Sequence, residues 1–168
     1  MADQPTIMLI TTNDIRKHRP IAGNLDDMKR LEMYIQEAEM IHIIPAIGAE
    51  LYKQVDENPS IHTLLLDGGY YDNNTRYMAG LKAAVSLLAY SRFILNNGIN
   101  ATPFGIREKL TVDSNSVGDK ALFRHANEAQ NTGLAYLQQC LSYLSFTNGT
   151  CGKKHTSVST RKFKAVGR

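Results

Sequence analysis

The residues best suited to catalysis or metal binding are spread through the chain in spacings that fit neither. His18, His42, His62, His125 and His155 never fall four apart on one helical face, the arrangement a helical zinc pair needs. They read as exposed or hydrogen-bonded residues rather than ligands. Glu108 and Asp113 are the one pair of carboxylates that acid–base work could use, and both lie in a loop, where they read as solvated charges or partners in ion pairs between subunits. "DGGYYDNN", from Asp67 to Asn74, is rich in oxygen ligands, but its glycines precede the second aspartate, against the order of a calcium-binding EF-hand loop. No Gly-rich phosphate loop, H-E-x-x-H, C-x-x-C or G-x-S-x-G is present, so no nucleophile comes with a base and no cofactor or metal is expected. Cys140 lies in a helical pattern and Cys151 in a glycine-containing tail, which predicts free thiols rather than a staple.

Composition points to one helical unit. The chain has 168 residues, 43% hydrophobic and 21% charged, enough to bury a core without metal or disulfide. No segment approaches the roughly 18 apolar residues of a membrane span, and the start "MADQPTIMLITTND" lacks a basic leader, so no membrane partner and synthesis in the cytoplasm are expected. Asn73, Asn100 and Asn148 open N-x-Thr triplets that read as chance matches in that setting. The net charge of +3 is uneven: Lys153, Lys154, Arg161, Lys162, Lys164 and Arg168 put +6 on the tail from residue 147, leaving the body at −3. Phe163 is the only aromatic there. Such an arm could dock on an acidic protein, touch nucleic acid nonspecifically through its charge, or carry no fixed structure.

The elements are all read as helices. A short one lies in "TTNDIRKHRP", capped by Thr11 or Thr12, with Asp14 at its positive end, the basic residues at its negative end and Pro20 as its stop. Asn24 caps a longer helix whose stripe is Leu25, Met28, Leu31, Ile35, Ala38 and Ile41. Pro45 must kink or restart it, and Leu51, Tyr52 and Val55 continue the pattern, followed by a short turn of helix at Ile61 to Leu66. Tyr77, Leu81, Val85 and Leu88 begin a second long stripe that runs to Leu95 and ends at Gly98. Ser116 and Asp119 then open a last helix with Leu122, Ala126, Ala129, Gly133, Leu137, Cys140 and Leu144 on one face. Met28, Met33, Met40 and Met78 read as core filler.

Between the two long helices lies "NATPFGIREKLTVDSNSVG", residues 100–118, too long for a turn. Phe104, Ile106, Lys109, Leu110 and Val112 are strand-compatible, so the segment reads as a hairpin or an extended strand. An isolated hairpin is marginal in water, so it must fold on its own body or pair with another chain.

The stretch Ile10 to Val55 resembles the N-terminal signature of phage head-to-tail connector, or adaptor, proteins. The likeness rests on Ile10 to Ile15 ("I-T-x-x-D-[IL]" in the family), Pro20, Ala38 with Glu39, and Pro45 to Tyr52 ("P-x-[IL]-G-x-x-L-Y"). "TPFGIREK" and "AYLQQCLSYL" are similar to the version found in crAss-like and other Bacteroidetes phages, extending the likeness over about residues 6 to 146. The basic tail matches nothing in it. The resemblance implies a helical connector domain over 1–146 and a tail over 147–168, and a structural virion protein rather than an enzyme. Its partners would be identical copies in a ring, usually dodecameric, the portal above, an adjoining neck or tail ring, and DNA passing through the channel without sequence-specific contact. In those relatives the loop between the long helices contacts neighbouring subunits or lines the channel, and the C-terminal segment reaches the portal. Those roles fall here on Phe104, Ile106, Arg107, Lys109, Leu110 and Val112, and on Lys153, Lys154, Arg161, Lys162, Phe163, Lys164 and Arg168. From another class, a helical nucleic-acid-binding module acting through the basic arm fits the charge distribution.

Overall fold

The computed structural model describes residues 8–19, 28–96, 99–102, 105–108 and 119–147. Most of these are helical, as expected, joined by two short antiparallel strand pairs.

Helix α1 (Thr12–His18) starts where the sequence signals it. Thr11 is the N-cap, and both its backbone N–H and its hydroxyl donate to Asp14 Oδ2 at 2.9 Å. Lys17 Nζ reaches the other carboxylate oxygen at 2.7 Å. Burial pushes the Asp14 pKa up, but the hydrogen bonds from Lys17 and Thr11 outweigh it and hold the carboxyl at about 2. Pro20, Asn24 and Leu25 lie outside the described residues, as does the side chain of Met28.

Helix α2 (Met28–Ala38) buries Leu31, Tyr34, Ile35 and Ala38. The expected stripe then fails by one position. Residues Glu39–Ile43 form a π-helical turn, which inserts an extra residue per turn and rotates the residues after it about the helix axis. Ile41 is therefore 50% exposed, while Glu39 and Ile43 are buried. Pro45 lacks the N–H that the Ile41 carbonyl would accept in an α-helix, and the widened turn lies immediately before it. Met33 and Met40 are exposed too, so of the four methionines read as core filler only Met78 is placed in the core.

Helix α3 (Ile44–Ile47) ends at Gly48, whose φ of +87° suits glycine, and α4 (Ala49–Glu57) and α5 (Thr63–Asp67) come next. The stretch "GGYYDNNTRYMAG" that follows is a hairpin. Strand β1 (Gly69–Tyr71) pairs with β2 (Arg76–Met78), Tyr70 opposite Tyr77. Tyr77, assigned from the sequence to a helical stripe, is thus an exposed strand residue. Asp72, Asn73 and Asn74 all have positive φ, a conformation Asn and Asp tolerate better than most residues. At the base of this hairpin a Cβ on Gly80 would lie 2.5 Å from Gly68 N, so the two glycines let the chain close on itself.

Helix α6 (Leu81–Asn96) is the centre of the bundle and is buried on nearly every side, from Leu81 through Ala84, Val85 and Leu88 to Phe93. It packs on α1, α2, α5 and α7. Helix α7 (Asp119–Thr147) lies antiparallel to it, presenting Ala126, Ala129, Gly133, Leu137 and Cys140 as the sequence predicts. The approach is closest at Gly133, where a Cβ would meet Leu88 Cγ at 2.9 Å and the Ala84 carbonyl oxygen at 3.2 Å. Arg92 with Glu37 at 2.7 Å and Arg19 with Glu128 at 2.7 Å tie α6 to α2 and the end of α1 to α7.

Candidate functional site

Where chemistry was sought from the sequence, the structure places ordinary contacts. Among the described residues no three His, Cys, Asp or Glu side chains cluster as metal ligands would. The Asp72 carboxylate of "DGGYYDNN" pairs with Arg76 at 3.3 Å and its carbonyl accepts the Thr75 N–H and hydroxyl, so the loop is a hairpin turn. His18 and His42 have lowered pKa values, chiefly through burial, and each stands apart from the other. Burial raises the Cys140 thiol to about 12, which makes it inert packing. Glu108 lies in a strand; Asp113 and His155 are outside the described residues.

One ionisable group is unusual, and the sequence reading passed over its burial. Glu39 is only 2% exposed. Its carboxylate accepts the Leu9 N–H at 2.8 Å and the Tyr52 hydroxyl at 2.6 Å, joining the N-terminal segment, the π turn and α4. Burial is the main cause that lifts its pKa to about 7, against the two hydrogen bonds and with help from Asp56. Burial and the same carboxylate push the Tyr52 hydroxyl upward as well. The three groups bond to one another as a structural clasp, and none of them lines either of the two hollows described below. Glu39 follows the buried Ile35 by four residues, the α-helical interval that keeps it on the inner side, and the π turn that begins there brings Ile43 inward in place of Ile41.

Two features of the surface stand out instead. The first is the segment between the long helices. Strand β3 (Ile99–Thr102) pairs antiparallel with β4 (Gly105–Glu108), setting Ile99 opposite Glu108, Asn100 opposite Arg107, Ala101 opposite Ile106 and Thr102 opposite Gly105. The register places Ile99, Ala101, Ile106 and Glu108 on one face of the ribbon and Asn100, Thr102, Gly105 and Arg107 on the other. Among the described residues the ribbon packs mainly on itself, with no helix making an extended contact with it. Phe104, Lys109, Leu110 and Val112 lie outside the described residues, so of the loop positions singled out from the sequence only Ile106 and Arg107 are placed, both in β4.

The second surface is a cleft of about 640 Å³ at the far end of α7. Its walls are Ile47, Leu51, Ile61, Leu64, Tyr143 and Leu144, with Glu50 and His62 at its edge. Ile61 stands 76% exposed there, an uncommon state for a large aliphatic residue. The nearby β1–β2 hairpin adds an aromatic group: Tyr71 meets Tyr143 and Phe146 with ring centroids 5.2 and 5.6 Å apart, and Tyr70 stacks edge-on against Tyr77 in the open. A second hollow is lined by residues of α7 alone, such as Phe123, Arg124 and Asn127, and is one face of a helix rather than a cavity. None of the cleft residues was singled out as a site, because they come from distant parts of the chain. The tail residues Lys153, Lys154, Arg161, Lys162, Phe163, Lys164 and Arg168 lie outside the described residues.

The molecule is thus a small, mostly helical bundle with a two-stranded ribbon inserted between its longest helices and no helix, among the described residues, long and apolar enough to cross a membrane. It belongs to a family of unknown function, DUF6712, whose profile matches residues 43–150, well over half of the chain. That span takes in the cleft, the ribbon and α7 and begins just after Glu39. No curated protein and no solved structure matches it.

Proposed function

We propose that this chain is a structural virion subunit: a head-to-tail connector that closes into a homo-oligomeric ring, usually dodecameric, below the portal, with DNA passing through the channel. The reading starts from the resemblance of Ile10 to Val55, "TPFGIREK" and "AYLQQCLSYL" to connector proteins. The observation that carries it furthest is the ribbon β3–β4, a strand pair that packs mainly on itself between α6 and α7. A hairpin of four-residue strands is marginal alone, so a neighbour that covers it is the simplest source of its stability. A closed ring needs two different patches per subunit, and the ribbon supplies one of them. Burial of Ile99 and Ile106 at such a contact would contribute roughly 1.5 to 3 kcal/mol each before the ordering cost is deducted. In this role Arg107 and Lys109 set contacts between subunits and the basic tail docks on the portal or an adjoining ring.

The test is deletion of residues 102–115. The shortened chain is expected to keep its helical circular dichroism and to elute as a monomer by size exclusion with light scattering. Intact oligomers in the deletion would reject the reading.

A further inference from the structure

We infer that in the lone subunit the cleft walled by Ile47, Leu51, Ile61, Leu64, Tyr143 and Leu144 is covered by the chain's own basic tail, residues 148–168, with Phe163 as the side chain that enters it. The inference concerns a single copy and does not depend on the ring reading.

The place where the tail leaves the bundle carries it. Tyr143, Leu144 and Thr147 of α7 line the cleft, and α7 ends at Thr147. The Thr147 hydroxyl lies 3.2 Å from the carbonyl oxygens of both Tyr143 and Leu144 and closes the last turn. Residue 148 therefore starts at the rim of the cleft rather than across the molecule. Asn148 and Gly149 are the residue types that turn a chain back at a helix end. From Thr147 to Phe163 the backbone spans roughly 50 Å when extended, so reach does not limit the fit. A tether of this kind holds the tail at a local concentration on the order of 1 mM, which a separate molecule would have to match to take its place.

The chemistry of the two parts agrees. The cleft has an apolar floor on which Ile61 stands 76% exposed. Glu50 is the one carboxylate in its lining; it accepts the Gln54 amide at 3.3 Å and has no ion pair among the described residues, whereas Glu57 of the same helix is paired with Lys53 at 3.7 Å. The tail sequence "RKFKAV", Arg161 to Val166, sets its single aromatic residue among three cations. In an extended segment, Phe163 directed to the floor turns Lys162 and Lys164 toward the rim, where Glu50 is exposed and their long stems can reach it. The contact stows the arm on its own body, and under the connector reading the portal must draw it out of the cleft to engage it.

The experiment measures maleimide labelling of Gln54→Cys in a chain that also carries Cys151→Ser. Gln54 lines the cleft and is exposed, so a thiol there reports cover without removing an apolar wall. The new thiol is expected to label at least tenfold more slowly in the full chain than in a chain ending at Thr147, and Phe163→Ala should remove most of that protection. Glu50→Lys should reduce the protection by up to about fivefold, measured against the shortened chain with the same change. The buried Cys140 must stay unlabelled throughout, which shows that each variant is folded. Protection should persist over a hundredfold dilution. Equal rates in the full and shortened chains overturn the inference, as does full protection in Phe163→Ala. Protection that fades on dilution overturns it too, since a second copy would then be the cover.

Discussion

Replacing Glu39 by Gln should make the protein more stable at pH 8 and leave it nearly unchanged at pH 5. In the folded chain the Glu39 carboxyl has its pKa raised from 4.5 to about 7, because burial penalises its ionised form more than the Leu9 and Tyr52 hydrogen bonds favour it. The folded state therefore holds a proton that the unfolded state has released between those two values. Stability from this group is complete below pH 4.5 and is lost as pH rises through about 7. The full cost is roughly 3 kcal/mol at pH 8. Gln carries no charge to bury and keeps one oxygen for the Leu9 N–H, while its amide can donate to the Tyr52 oxygen once that hydroxyl turns. Allowing about 1 kcal/mol for this rearrangement, the variant should gain roughly 2 kcal/mol at pH 8, or about 4 to 8 °C in Tm for a chain of this size. The assay is thermal unfolding followed by circular dichroism from pH 5 to pH 8 at one protein concentration, so that assembly does not shift the comparison. His18 and His42, whose lowered pKa values favour folding as pH rises through the histidine range, contribute to both chains and cancel in the difference. A Gln variant less stable than wild type at pH 8 would refute the reasoning, since it would mean that the ionised carboxylate with its two donors is the favoured form.

Gly133→Ala should destabilise by about 1 to 2 kcal/mol in chemical denaturation, because the new methyl group meets the Ala84 carbonyl as well as the movable Leu88 side chain, and the gain in helix propensity offsets only part of it. Cys140 should resist a thiol reagent in the native protein and label on unfolding, read by mass spectrometry of its own peptide. Removing residues 149–168 should leave rings intact by light scattering and reduce co-sedimentation with purified portal; undiminished co-sedimentation would reject the tail as the docking arm. Lowering the pH towards 2 should destabilise wild type more than Asp14→Asn in acid unfolding, since the Asp14 carboxylate contributes above pH 3.8 and that contribution fades as it protonates.

The parts of the fold legible in the sequence are those governed by local chemistry or by one uninterrupted period. Thr11 with Asp14 announces α1, and Ala126, Ala129, Gly133, Leu137 and Cys140 mark the buried face of α7 at intervals of three and four. Legibility ended where the period itself changed. The π turn at Glu39–Ile43 exposes Ile41 and buries Ile43 in its place, an outcome that no regular helical template contains. The β1–β2 hairpin was also missed, although two glycines at one side and Asp72, Asn73 and Asn74 at its turn are the residues such a turn requires. The candidate site divides in the same way. The ribbon was legible only in part, since Ile106 lies in β4 but the pairing strand Ile99–Thr102 was not anticipated, whereas the cleft joins residues 47–65 to 143–147 and exists only once the bundle has folded.

Completion of the ribbon by another copy is tested most directly by electron cryomicroscopy of the assembled particle, resolved well enough to trace the strands. Ile99, Ala101 and Ile106 should be found against an adjacent subunit around a closed ring. A ribbon lying wholly on its own bundle, touching no other molecule, would contradict that assignment.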